Sequence, residues 1–372
     1  MKRSNKIKTF LKLLIHNLTN TIMLIFVFSL ISISIFSLFK RFNLSRVLPE
    51  KNSILIYNRQ NFKNFDWAQQ YYLDKDKVEG EYVSYLGFTE KFLNSETINI
   101  NKIGVRNSLN HDDNAEVLFL GGSTMFGFGS NDGNTIPSKF GKASGMTVKN
   151  LGNAGHNSFQ GFLKFNNHLN FYKNPKVVIS YDGVNEIYNI KSKLRQEHQW
   201  DEEFKLSIEK NGSRSKIKLK KYLLDFISPI VKISNKISSR FFIKDKVDFE
   251  FNQKDVIQMT FQLLNNWKLM NDISKVNNIK FYPILQPLSV FGNPKLENEV
   301  GLHPNVIRLY KQFYKRVLDE IQNNDKYKDL KENFLDYSYI FNIDEIIFYD
   351  HCHVSPNGNE LMVNLLLKDI IN

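Results

Sequence analysis

Residues 117–124 read Val-Leu-Phe-Leu-Gly-Gly-Ser-Thr. An apolar run stopped by two glycines is how a strand buried on both faces looks where it enters a tight turn. The stretches 176–183 (KVVISYDG) and 279–287 (IKFYPILQP) have the same form. Between them, residues 256–274 (VIQMTFQLLNNWKLMNDIS) place apolar side chains at helical spacing. Strands alternating with helices predict a three-layer α/β/α domain around a mostly parallel sheet, with its reactive loops at the C-terminal ends of the strands.

Four short constellations fall in such loops. Gly121-Gly122-Ser123-Thr124 sets a hydroxyl on a turn whose glycines permit a tight backbone, and the start of a following helix favours negative charge on its oxygen. Asn150-Leu151-Gly152-Asn153-Ala154-Gly155 is a second glycine turn, where Gly155 can offer its N–H. Asp182-Gly183-Val184-Asn185 brings an amide to a third strand end, where it can donate to an oxyanion. Finally, Asp350 and His353 stand three apart ahead of Ser355-Pro356, a pair that reads as an N-cap and first helical residue. A carboxylate at that spacing can hold one ring nitrogen and aim the other at a serine. His351-x-His353 also fits a metal, but no third ligand stands out. Phosphate-binding readings of the first loop fail, since Gly127 and Gly129 are followed by Asp132 where the dinucleotide fingerprint needs glycine, and no P-loop pattern occurs.

Taken in order, GGST, NxGxxG, DGxN and DxxH resemble the four signature blocks of the SGNH/GDSL hydrolase family over roughly residues 101–372, with GVRNSLN before the first strand and LQP in a later one. Gly122 stands where the family usually has Asp, and Glu186 where the third block commonly ends in Asp. The resemblance implies a flavodoxin-like fold, Ser123 as nucleophile, His353 as base and Asp350 orienting it. The oxyanion hole would comprise the N–H groups of Ser123 and Gly155 with the Asn185 amide. No metal or organic cofactor is implied, and His351 and His156 are bystanders.

Thr21 to Phe39 is uncharged over 19 residues, close to the length that crosses a bilayer as a helix, and Lys40 and Arg41 follow it in place of a cleavage site. Lys2, Arg3, Lys6, Lys8 and Lys12 precede the span, against Lys40, Arg41 and Arg46 after it. This bias predicts a cytoplasmic N-terminus (1–20), a signal anchor (21–39) and a catalytic portion on the extracytoplasmic side, periplasmic or extracellular. Residues 40–113 are expected to be a linker and small subdomain, and 114–372 the hydrolase domain. Within that domain, 191–246 reads as a basic insertion with 15 Lys/Arg against 7 Asp/Glu. The chain's 50 basic and 38 acidic residues give a net charge of +12, and Cys352, its single cysteine, rules out an internal disulfide.

The expected activity is hydrolysis of ester-linked acyl groups, O-acetyl first, on a cell-surface glycan, with no nucleic-acid partner and with polysaccharide assembly proteins as possible associates. Transfer of the acyl group to a polysaccharide hydroxyl by the same residues, and non-catalytic glycan binding, are the alternatives.

Overall fold

The computed structural model describes residues 17–21, 23–26, 28, 29, 62, 64–189, 251–296 and 302–371. The basic insertion at 191–246 lies outside them. Residues 17–21, 23–26, 28 and 29 are helical, and Met23, Leu24, Ile25, Phe26 and Phe28 are exposed. Among the described residues no helix is long and apolar enough to cross a membrane. Residues 22, 27 and 30–39 of the expected span lie outside those described.

In the main unit, the described elements run α1 (Ala68–Lys75), β1 (Gly80–Val83), β2 (Gly87–Glu90), β3 (Leu93–Asn94), β4 (Asn99–Ile100), β5 (Val117–Gly121), α2 (Ser123–Phe126), α3 (Ile136–Ser144), β6 (Val148–Asn150) and α4 (Ser158–Phe171). After these come β7 (Val177–Asp182), α5 (Gln253–Val276), β8 (Lys280–Leu285), α6 (Pro304–Asn323), β9 (Leu335–Asp336) and α7 (Pro356–Ile370). The five strands from β5 onward form one sheet in the order β6-β5-β7-β8-β9, and every neighbouring pair is parallel. Counted within the sheet this is 2-1-3-4-5, the flavodoxin-like order, whose switch point lies between β5 and β7.

The side-chain period of two sorts each strand between two cores. Leu118, Leu120, Val178, Phe281 and Leu285 face one side, where Phe165 of α4, Leu263 and Trp267 of α5, and Leu309 and Phe313 of α6 cover them. Val117, Phe119, Ile179, Tyr181 and Ile284 face the other, beneath Ile136 and Phe140 of α3 and Met362, Val363 and Leu366 of α7. These are the three expected layers. The helix starts are set locally. Asn157 and Asn252 close capping boxes on α4 and α5, while the Ser355 side chain accepts the Gly358 N–H ahead of Pro356 in α7.

Residues 62 and 64–113 lie in the same compact unit as the sheet. Tyr71, Tyr72, Ile98 and Ile100 share a small core with Phe126 of α2. Single bridges from Arg106 to Ile100 and to Asn150 join this segment to the end of β6. The hairpin β1–β2 therefore stands beside the loops that close the sheet, which matters for the site.

At the end of β7, Asp182 is buried in the core, where Trp267 Nε1 donates to Oδ2 at 2.8 Å and Ser180 Oγ at 2.5 Å. Burial pushes its carboxyl up to about 6, against those two bonds, which favour the anion. Because the folded chain holds this proton more tightly than the unfolded one, the group costs stability as pH rises from about 4 to 6, and the cost is complete above that window. In urea titrations, the stability of Asp182→Asn relative to the native chain should rise by about 2 kcal/mol between pH 4 and pH 7. A pH-independent difference would contradict the buried acid.

Candidate active site

Ser123 is the first residue of α2, a single helical turn directly after β5, so its placement comes from the strand end more than from any helix dipole. His353 and Asp350 come from the loop ahead of α7. That loop is fixed by backbone bonds from Tyr349 N–H to His353 O, 3.2 Å, and from Ser355 N–H to Ile347 O, 2.9 Å. Thr124 Oγ1 donates to Cys352 O at 3.3 Å and ties the two loops together.

Across this junction, Ser123 Oγ lies 2.6 Å from His353 Nε2, and His353 Nδ1 lies 2.6 Å from Asp350 Oδ2. The other oxygen, Asp350 Oδ1, accepts the N–H of Cys352 at 2.9 Å and of His353 at 2.7 Å. Burial alone would raise the Asp350 carboxyl, but the His353 hydrogen bond and charge with these two N–H donors outweigh it and hold it well below the usual carboxylate range. Asp350 is therefore an anion that fixes the ring with Nδ1 as donor and leaves Nε2 to accept from the serine. Phe128 and Tyr349 stack on the imidazole at centroid distances of 5.3 and 5.6 Å and hold its plane.

The residues expected to form the oxyanion hole gather at the same switch point. Asn185 is the second residue of the helical turn Val184–Asn189 after β7, and its Nδ2 donates to His156 O at 2.7 Å, which leaves its second hydrogen for a further acceptor. The Asn153–His156 turn is anchored on the nucleophile strand by Asn153 N–H to Gly121 O, 3.1 Å. Gly155 sits in that turn at φ +74°, a conformation that suits glycine, and its N–H has no partner among the described residues. The structure thus brings together Ser123, His353 and Asp350 by direct bonds, and sets Asn185 and the Gly155 turn against Gly121 and Gly122.

Gly122 explains the departure from Gly-Asp-Ser. A Cβ at this position would lie 2.3 Å from Asn185 Nδ2 and 3.2 Å from His156 O, so any side chain here displaces the amide. Glu186, the other departure, is buried and accepts the Ser158 N–H at the start of α4, 2.8 Å. Two nearby histidines, His156 and His351, are held in the surrounding structure. His156 bonds Phe88 O through Nε2 at 2.8 Å, and burial depresses its basicity well below the ordinary value. His351 is half-buried, and its carbonyl accepts from Ser289.

Asp350, His351 and Cys352 have possible ligand atoms within 4.8 Å of one another. The set fits an ion poorly. Both Asp350 oxygens already serve His353 and two N–H groups, and burial pushes the Cys352 thiol well up, away from the thiolate a metal needs.

Several supporting residues are not legible in the sequence as site residues. Arg106 is fully buried and donates to Phe126 O at 3.0 Å, Gly127 O at 2.8 Å and Ser130 O at 2.6 Å, with Asp132 Oδ1 at 3.0 Å. It fixes the loop that carries Phe128 to the base. GVRNSLN was the only signal pointing at it. Phe88, Thr89 and Glu90 of β2 had none.

No protein-family profile matches the chain, and no curated protein does. Solved structures similar to it include a GDSL-like lipase from Bacteroides thetaiotaomicron, 14% identical at TM-score 0.35 over 68% of this chain and 87% of that one. A member of the lipolytic G-D-S-L family from Veillonella parvula is 9% identical at TM-score 0.37 over 69% and 98%. An acetyl xylan esterase, AlAXEase, is 14% identical at TM-score 0.35 over 68% and 98%. At identities and scores this low, these likenesses say nothing of activity.

Replacing Gly122 by Ala should slow covalent labelling of Ser123 by a fluorophosphonate by about 10–100-fold, because the displaced Asn185 no longer meets the developing oxyanion. Labelling at the native rate would contradict the packing of Asn185 on Gly122.

Proposed function

We propose that this chain is a serine hydrolase of the SGNH type that cleaves carboxylic esters through an acyl-enzyme. The observation that carries the reading is the unbroken line Ser123 Oγ, His353 Nε2, His353 Nδ1, Asp350 Oδ2, with 2.6 Å at each hydrogen bond. A serine hydroxyl is a weak nucleophile until a base within hydrogen-bond reach takes its proton, and the base needs a partner to fix its tautomer.

In the reaction, Ser123 Oγ attacks the ester carbonyl carbon while its proton passes to His353 Nε2. The tetrahedral oxyanion is met by the N–H groups of Ser123 and Gly155 and by the free hydrogen of Asn185. The imidazolium, stabilised by Asp350, returns its proton to the leaving alcohol oxygen as the C–O bond breaks. Water then repeats the sequence on the acyl-serine, losing a proton to His353 and releasing the acid.

The substrate we favour is a short acyl ester, O-acetyl first, on a cell-surface glycan. Its support is the place the sequence gives the catalytic portion, tethered beyond the apolar stretch 21–39 on the extracytoplasmic side of the membrane. The exposed apolar side chains of Met23, Leu24, Ile25, Phe26 and Phe28 suit that tether. Transfer of the acyl group to a sugar hydroxyl would use the same residues, with the acceptor in the place of water. Assembly proteins for such a polymer are the partners this setting offers.

The full chain, purified in detergent, should hydrolyse p-nitrophenyl acetate faster than long-chain esters. Ser123→Ala should abolish turnover, and Asn185→Ala should lower it by about 10²–10³-fold. Turnover that survives Ser123→Ala would overturn the mechanism. Turnover rising with chain length would move the substrate to lipid, and product formed only with an added sugar acceptor would make the enzyme a transferase.

A further inference from the structure

Strand β2 contributes three consecutive residues to the Asn153–His156 turn. Phe88 O meets His156 Nε2 at 2.8 Å, Thr89 Oγ1 donates to Asn153 Oδ1 at 2.9 Å, and Glu90 Oε1 accepts the Ala154 N–H at 2.9 Å. The Phe88 ring covers the same turn. It stands edge-on to His156 at 5.0 Å, and its Cζ lies 3.4 Å from where a Cβ on Gly155 would be. From the opposite side, Lys164 of α4 donates to Leu151 O at 3.1 Å and Asn153 Oδ1 at 2.9 Å. Both neighbours of Gly155 are therefore tied, Ala154 through its N–H to Glu90 and His156 through its carbonyl to Asn185.

We infer that β2 is a clamp for the oxyanion hole, with Glu90 as its chief positioning residue and Thr89 and Phe88 as its supports. Resting on the hydrolase reading, it deepens that reading by assigning work to a hairpin the chemistry does not touch. A peptide N–H stabilises an oxyanion only if it already points at the right place before charge develops. In a turn of four residues, the orientation of the Gly155 N–H follows the planes of the peptides on either side. Glu90 fixes the Ala154 N–H, one peptide before Gly155.

Charge supports the clamp. Thr89 and Glu90 are buried, so an unpaired carboxylate there would be costly. Burial raises the Glu90 carboxyl and lowers the Lys164 ammonium to about 8, and the charge of each favours the charged form of the other. Glu90 and Lys164 thus hold two successive residues of the turn, Ala154 and Asn153.

The acceptor, more than the charge, is what the turn requires, and this separates positioning from simple stability. Glu90→Gln keeps an oxygen for the Ala154 N–H, and Glu90→Leu removes it. With the full chain and p-nitrophenyl acetate, Glu90→Leu should lower kcat by about 10–100-fold with KM within about threefold, and Glu90→Gln should recover most of that loss. Binding of phenylboronic acid, which forms a tetrahedral adduct on the serine, should weaken in Glu90→Leu by the same factor as kcat. Native kcat in folded Glu90→Leu would overturn the clamp. So would equal losses in Leu and Gln variants with boronate binding unchanged. Should Glu90→Leu fail to fold, Thr89→Val, which deletes the bond to Asn153 and a longer one to Gly104 O, should still lose about 3–10-fold in kcat, and native kcat there would overturn the clamp. A native chain without ester turnover would instead sink the hydrolase reading, and the clamp with it.

Discussion

The bond between Ser123 Oγ and His353 Nε2, 2.6 Å long, joins residues 230 positions apart in the chain. Nothing local makes it. It exists because a parallel sheet delivers β5 and β7 side by side with their C-terminal ends at the same edge, and because the loop before α7 returns to that edge. The buried faces of β5 and β7 fix the height of Ser123, and the cap and proline at Ser355-Pro356 fix where the loop carrying His353 must end. A hydrogen bond of this kind tolerates errors of only a few tenths of an ångström. The two cores on either side of the sheet are therefore as much a part of the site as the triad.

Around that bond the supports are graded by distance from the reacting atoms. Asp350 acts on the ring directly. Phe128 and Tyr349 hold its plane, and Arg106 in turn holds the loop that bears Phe128. On the oxyanion side, Asn185 packs on the bare Cα of Gly122, and Glu90 and Lys164 hold the turn of Gly155. On each side a group near the site is fixed by a buried ionisable one further out. Arg106 with Asp132 holds the loop of Phe128, and in the proposed clamp Glu90 and Lys164 hold the turn of Gly155.

The sequence makes the sheet and the cluster of Ser123, His353 and Asp350 legible because both leave short-range marks. Apolar runs ended by glycines mark β5 and the turn after it, and Asp350 and His353 lie within one turn of a capped helix. The three-layer order followed from strands alternating with helices, and the structure adds that the sheet is wholly parallel. Glu90 was illegible for a physical reason. In the run Gly-Phe-Thr-Glu-Lys-Phe an acid beside a lysine reads as a solvated face, and only tertiary packing buries it against Ala154. Arg106 was visible as part of a pattern but not as a hub, since its partners are carbonyls of residues 126–130. The segment 40–113 read as an accessory subdomain because its short strands carry no strong periodicity, yet its described part supplies the wall behind the oxyanion turn.

Whether Ser123 carries the acyl group can be read by mass spectrometry of the chain quenched during turnover of an acetyl ester. An acetyl group is expected on the peptide bearing Ser123, present in the native chain and lost in Ser123→Ala. Hydrolysis that proceeds with no acyl group on Ser123, or with the acyl group on another residue, would contradict it.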